Sequence, residues 1–311
     1  MNIFKRIIVS LFGIILLISV LIFFFRTPDI QRKYLLSAYT NKASRFFVIQ
    51  DMEVHYRDEG PREDKLPLVF LHGTGSSLHT WDSLVAQLPE KRCIRLDMPG
   101  FGLTGPHPRR DYSPENTAKI IDDLLQFLHA DSCIIAGNSL GGFIAWSYAL
   151  DHPRAKKLIL IDATGFKTTT GDKNLGFRLA RMPVVNQLVK VVTPHSLIRK
   201  SLEQSYGDPT KVSDELVSRY WAMNCRSGNR QAMIDRFKYP STGDTGRLKE
   251  LKIPVLILWG QKDQLIPVSH ADKFAAVLSD YQKVVYPTLG HIPMEEDPAL
   301  VSNSIRKWLS K

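Results

Sequence analysis

Cysteine is scarce in this chain: 311 residues hold three, Cys93, Cys133 and Cys225. They form an odd set without metal-ligand spacing, and two fall inside strand-like runs. They are therefore read as small buried hydrophobes, not as a metal or disulfide framework. Internal repeats and low-complexity tracts are also missing beyond the first thirty residues, which excludes a repeat architecture. A nucleic-acid-binding motif is lacking too, although the formal net charge is +10. Charge without such a motif gives no nucleic-acid partner. At this length, with 44% hydrophobic and 23% charged residues, the chain can build one large domain or a domain with a sizeable insertion.

Charge is absent altogether from Ile7 to Phe25, "IIVSLFGIILLISVLIFFF". As a helix this run would reach roughly 28 Å, close to the hydrocarbon thickness of a bilayer. It ends in Phe23-Phe24-Phe25-Arg26, whereas a secretory signal ends at small residues. An uncleaved single-pass anchor is therefore expected. Lys5-Arg6 before it favour a cytoplasmic N-terminus and an exported domain. Arg26, Arg32, Lys33, Lys42 and Arg45 argue the other way. The exported, periplasmic side of a bacterial inner membrane is the expectation taken here.

Past the anchor, short runs rich in Val, Ile and Leu read as strands buried on both faces: "LVFLHG", "CIRLDMPG", "CIIAGNS", "KLILIDAT", "VLILWG" and "KVVYP". Helical segments alternate with them. One begins at Ser113-Pro114, an N-cap followed by proline at the first helical position, with Ile120, Leu124, Phe127 and Leu128 at helical spacing. The last carries Val301, Ile305 and Trp308 on one face. This alternation predicts an α/β fold with a mostly parallel sheet flanked by helices.

One interval breaks the rhythm. From Lys167 to Lys252 no comparable strand occurs, a stretch too long for a loop. It reads as a helical cap, and Met182, Val184, Val185, Leu188 and Val189 read as its core or as the lining of an acyl pocket. Between Lys167 and Ile253 there are 16 Lys/Arg against 8 Asp/Glu, a difference of +8. Such a face suits anionic lipid or is simply solvated. The predicted organisation is a tail (1–6), an anchor (7–25), a juxtamembrane segment (26–45), a core (46–166 and 253–311) and the cap (167–252).

Gly137-Asn138-Ser139-Leu140-Gly141 is a G-x-S-x-G between a strand-like and a helix-like run. A serine on that turn takes strained dihedrals, and side chains two positions away would clash, so Gly137 and Gly141 fit it. Ser139 then needs a base, and the base an orienting carboxylate. His291 follows the strand-like "KVVYP" and Asp263 follows "VLILWG", so a parallel sheet brings both to the edge that carries Ser139. Asp162 also follows a strand and is the alternative acid. The loop "FLHGTGSS" offers the Thr74 amide, which with the Leu140 amide would hold an oxyanion. His72 in that loop reads as its support, not as the base. Gly100 to Gly105 matches G-x-G-x-x-G, but Pro106 and Pro108 follow at once, which excludes the helix that a dinucleotide site needs.

From about Phe47 onward the chain resembles the capped α/β-hydrolases, on the motifs "HGTGSS", "DMPGFGLTG", "GNSLGG", "WGQKDQLIP" and "GHIPMEEDP". With its anchor it is similar to bacterial single-pass membrane esterases and phospholipases A, the PlaF type included. The resemblance implies hydrolysis of acyl esters, with lysophospholipids or medium-chain lipids as substrates. It implies dimerisation through the anchor region, and neither metal nor organic cofactor. "GNSLGG" is also close to the motif of hydrolases that cleave carbon–carbon bonds in ring-fission products. A hydrolase-fold binding protein is the non-enzyme alternative.

Overall fold

In the computed structural model, residues 4, 5, 10–13, 16, 20, 23–167 and 175–311 are described. A short helix α1 (Arg32–Tyr39) leads into β1 (Ser44–Ile49) and β2 (Met52–Glu59). Then come β3 (Leu68–Leu71), α2 (Asp82–Ala86), β4 (Cys93–Leu96), α3 (Pro114–Phe127), β5 (Cys133–Asn138), α4 (Leu140–Asp151) and β6 (Ala155–Ile161). Five helices follow: α5 (Leu175–Arg181), α6 (Val185–Val191), α7 (His195–Glu203), α8 (Asp214–Cys225) and α9 (Asn229–Arg236). The chain closes with β7 (Val255–Gly260), α10 (Ser269–Val277), β8 (Tyr281–Tyr286), α11 (Pro293–Glu296) and α12 (Pro298–Leu309).

All eight strands share one sheet, ordered β1-β2-β4-β3-β5-β6-β7-β8. From β4 to β8 every pairing is parallel, while β1–β2 and β2–β4 are antiparallel. Each face of the sheet carries its own apolar cluster, one against α3 and α4, the other against α2 and α12. Strands β3, β4, β5 and β7 are buried at every residue. The edge strand β8 alternates partly exposed residues, which corrects the expectation that "KVVYP" is buried on both faces. In α3, Ser113 caps by accepting from the Asn116 amide, as its sequence predicts. Phe127 instead turns outward and stacks on Phe47.

The β1–β2 hairpin went unread in the sequence. Its two-residue turn, Gln50-Asp51, has positive φ at both positions, the type I′ geometry usually signalled by Asn-Gly. Strand β2 also buries His55 and Arg57, residues that read as surface. Here His55 Nδ1 pairs with Asp97 at 2.8 Å, and Arg57 with Asp82 at 2.9 Å.

Among the described residues no helix is long and apolar enough to cross a membrane. The anchor expected at 7–25 falls in good part outside the described residues. The segment that follows it is tied down. Thr27 and Ile30 amides donate to the Val191 and Cys225 carbonyls at 2.7 and 2.8 Å, and Arg230 grips Asp29 at 2.6 Å. Residues 27–30 are thus fastened to α6, α8 and α9.

Candidate active site

The site forms at the carboxyl ends of β5, β7 and β8. Ser139 sits between β5 and α4 with φ 54° and ψ −117°, a left-handed conformation that costs an L residue free energy and persists only when its surroundings impose it. The surroundings do so. The Ser139 amide donates to the Ile161 carbonyl at 3.1 Å, and its own carbonyl accepts from the Phe143 and Thr164 amides at 3.1 and 3.0 Å. A Cβ at Gly137 would overlap the Gly141 carbonyl, and one at Gly141 would overlap the Leu71 and His72 carbonyls. The turn is this tight because α4 must start directly above the sheet.

His291 and Asp263 come together below it. His291 Nδ1 lies 2.7 Å from Asp263 Oδ2, and both side chains are almost wholly buried. Asp263 Oδ1 also accepts from the Leu265 and Ile266 amides at 2.7 and 3.0 Å. An ionised carboxylate so supplied makes Nδ1 the protonated nitrogen, leaving Nε2 with a lone pair. Ser139, Thr74 and His291 line one cavity.

Leu140 is the first residue of α4, so its amide has no intrahelical acceptor and lies at the helix's positive end. On the opposite loop, Gly73 packs against Ser139 and Gly75 takes a φ of 74°. His72 is fully buried and accepts from the Met98 amide through Nε2 at 3.0 Å, which leaves Nδ1–H for the Gly73 carbonyl at 2.8 Å. Burial lowers its pKa. A neutral imidazole with both nitrogens bonded is a loop support. Asn224 of α8 adds a bond to the Gly75 carbonyl at 2.8 Å.

Asp162 follows β6 and is wholly buried beside Asp263. One ligand-type atom from each of Asp162, Asp263 and His291 lies within 4.8 Å of the others. His291 Nδ1 pairs with Asp263, Asp263 Oδ1 also accepts from two backbone amides, and Asp162 Oδ1 accepts from the Gly260 amide. The Gly100–Gly105 stretch folds as a turn around Asp97, with the Gly100 amide on the Gly105 carbonyl at 2.7 Å. It opens no helix.

Two residues of the site were missed in the sequence. Asn138 Nδ2 donates to the Ile161 and His291 carbonyls at 3.1 and 2.9 Å, which ties the serine turn to the histidine loop. Glu296 accepts from the Gly207, Asp208 and Gly290 amides at 3.0, 2.9 and 2.8 Å. The His291 amide itself donates to the Ser205 carbonyl at 2.7 Å. The histidine loop and the segment after α7 are one bonded unit.

Two lobes meet at Ser139. One, of about 100 Å³, is lined by Val189, Leu197, Ile198, Leu202 and Met233 with Leu265. The other, of about 270 Å³, is more polar, with Thr164, Arg181, Ser241 and Thr242. Phe177 borders both.

Comparison with known proteins places the chain in a family. The chain belongs to the alpha/beta hydrolase fold family, whose model matches residues 67–298. It is 26% identical over 255 residues to a 2-hydroxy-6-oxononadienedioate/2-hydroxy-6-oxononatrienedioate hydrolase of Comamonas testosteroni, covering 78% of this chain and 86% of that one. It is 25% identical over 242 residues to Lipase 1 of Psychrobacter immobilis, covering 74% and 72%. Among solved structures, a bacterial membrane phospholipase A superposes with a TM-score of 0.74 at 23% identity, covering 98% of each chain.

Proposed function

We propose that this protein is a membrane-anchored serine carboxylic-ester hydrolase acting on acyl esters of lipids, of the lysophospholipase, phospholipase A or monoacylglycerol esterase kind. One observation carries the reading: a strained Ser139 opens into the same apolar cavity as an imidazole whose Nδ1 is held by a buried carboxylate. In the mechanism, His291 Nε2 takes the Ser139 Oγ proton as Oγ attacks the acyl carbonyl. Asp263 steadies the imidazolium, and the Thr74 and Leu140 amides hold the oxyanion, each donor worth about 3 kcal/mol in the transition state. His291 then protonates the leaving alcohol. Water, deprotonated by the same nitrogen, attacks the acyl-enzyme and releases the acid.

The aliphatic lobe fits an acyl chain, the more polar one an alcohol or headgroup. Residues 167–252 serve as the lid, and the Ile7–Phe25 run as the anchor in a bacterial inner membrane with the domain on its periplasmic side. The bilayer and a second copy of the chain are the proposed partners. Carbon–carbon hydrolysis is the second reading, favoured by the Comamonas relative; the aliphatic lining and the anchor weigh against it. Turnover of a p-nitrophenyl ester that vanishes in Ser139→Ala, and exceeds turnover of a ring-fission dienoate in the wild type, is the expected result. Wild-type esterase activity in that variant would overturn the assignment, and faster dienoate turnover would transfer it to the second reading.

A further inference from the structure

Asp162 is a buried ionisable group that the mechanism above leaves unused. It follows β6 with a φ of 44°, in the left-handed region that an L residue adopts only at a cost. Its Oδ1 accepts from the Gly260 amide at 2.9 Å, and no donor is directed at its Oδ2. What its carboxyl meets instead is the carboxyl of Asp263, with one oxygen of each and a ring nitrogen of His291 all within 4.8 Å of one another. Two ionised carboxylates cannot share such a contact, whereas one proton between them turns repulsion into a hydrogen bond.

The partners decide where that proton sits. Asp263 receives two amide N–H groups and the His291 Nδ1–H, three donors that favour its charge. Asp162 receives one. Burial pushes the Asp162 carboxyl well above the usual carboxylate range, and the neighbouring Asp263 charge pushes the same way. The titratable groups around it are Asp263 after β7, His291 after β8, Tyr286 at the end of β8 and Glu296 of α11.

We propose that Asp162 is a positioning residue that keeps a proton on Oδ2 and donates it to the Asp263 carboxylate, and that it stands as a reserve acid for His291. The proposal rests on the Ser139–His291–Asp263 reading. In the resting site no proton leaves Asp162; its O–H fixes the plane of the Asp263 carboxylate against His291 Nδ1–H. When Asp263 is removed, the charge that kept Asp162 protonated goes with it. Asp162 then releases its proton to water, and its carboxylate, with an oxygen within 4.8 Å of a His291 ring nitrogen, accepts the His291 Nδ1–H.

The test compares Asp162→Asn, Asp263→Ala and the double variant by ester turnover from about pH 5 to about pH 10, the range that spans the base's titration. Asn at 162 offers an N–H to Asp263 and an oxygen to Gly260. It should therefore lower kcat about threefold with KM held, and leave the acid limb of the profile in place to within about 0.3 pH units. Loss of a resting negative charge would instead move that limb down by about a unit or more, and this would overturn the proposal. Asp263→Ala should keep a residual activity that rises with pH as Asp162 ionises. The double variant should fall about tenfold further and lose that rise. Equal activities in Asp263→Ala and the double variant would overturn the reserve role. If Asp162→Asn does not fold, Asp263→Ala decides alone: a pH-dependent residue of activity supports the proposal and a flat floor overturns it. Failure of the triad reading shows up separately, as a Ser139→Ala protein that still reacts with a fluorophosphonate.

Discussion

Ser139, His291 and Asp263 were legible one by one because each sits in a local pattern that chemistry dictates: glycines around a tight turn, or a polar residue just past an apolar strand. Asn138 was not, since the variable position of G-x-S-x-G carries no pattern of its own. Its role arises only when Ile161 and the histidine loop, 153 positions away in sequence for His291, fold against it. Asn138→Ala should leave two buried carbonyls without that donor, costing about 1–3 kcal/mol of stability. Because one of them belongs to His291, kcat should fall while KM holds. Denaturant titration beside steady-state kinetics checks this, and a variant with lowered stability but unaltered kcat would reduce Asn138 to a packing role.

At the scale of elements, the parallel strands β3 to β7 were readable because strands buried on both faces must be continuous apolar runs. The β1–β2 hairpin was hidden for two reasons: Gln-Asp in place of a glycine-bearing turn, and a β2 strand whose charged residues are buried by pairing with Asp82 and Asp97. The helices after β6 were legible as an insertion, but not their grip on the histidine loop through Glu296 and Ser205. Glu296→Ala should strand the Gly207, Asp208 and Gly290 amides and cost about 3 kcal/mol. Glu296→Gln, which keeps one acceptor oxygen, should recover part of that. Thermal unfolding and kcat should track each other across the pair. An alanine variant as stable and active as wild type would mean that this clamp does not hold the base.

At the scale of the molecule, the segment Thr27 to Ile30 joins the apolar run of the sequence to the basic insertion. Residues Thr27 to Ile30 bond to α6, α8 and α9. The proposed anchor predicts release by detergent and not by salt, since screening acts on charge contacts and not on apolar burial. Membrane fractions washed with concentrated salt and then with detergent will tell; protein freed by salt alone would leave only the basic face as the attachment. The central claim, however, is that Ser139 is a nucleophile. Its most direct test is peptide mapping by mass spectrometry after reaction of the full-length protein with a fluorophosphonate. A single adduct on Ser139, absent in Ser139→Ala, is the predicted result; an unlabelled wild type, or label on another residue with Ser139 untouched, would contradict it.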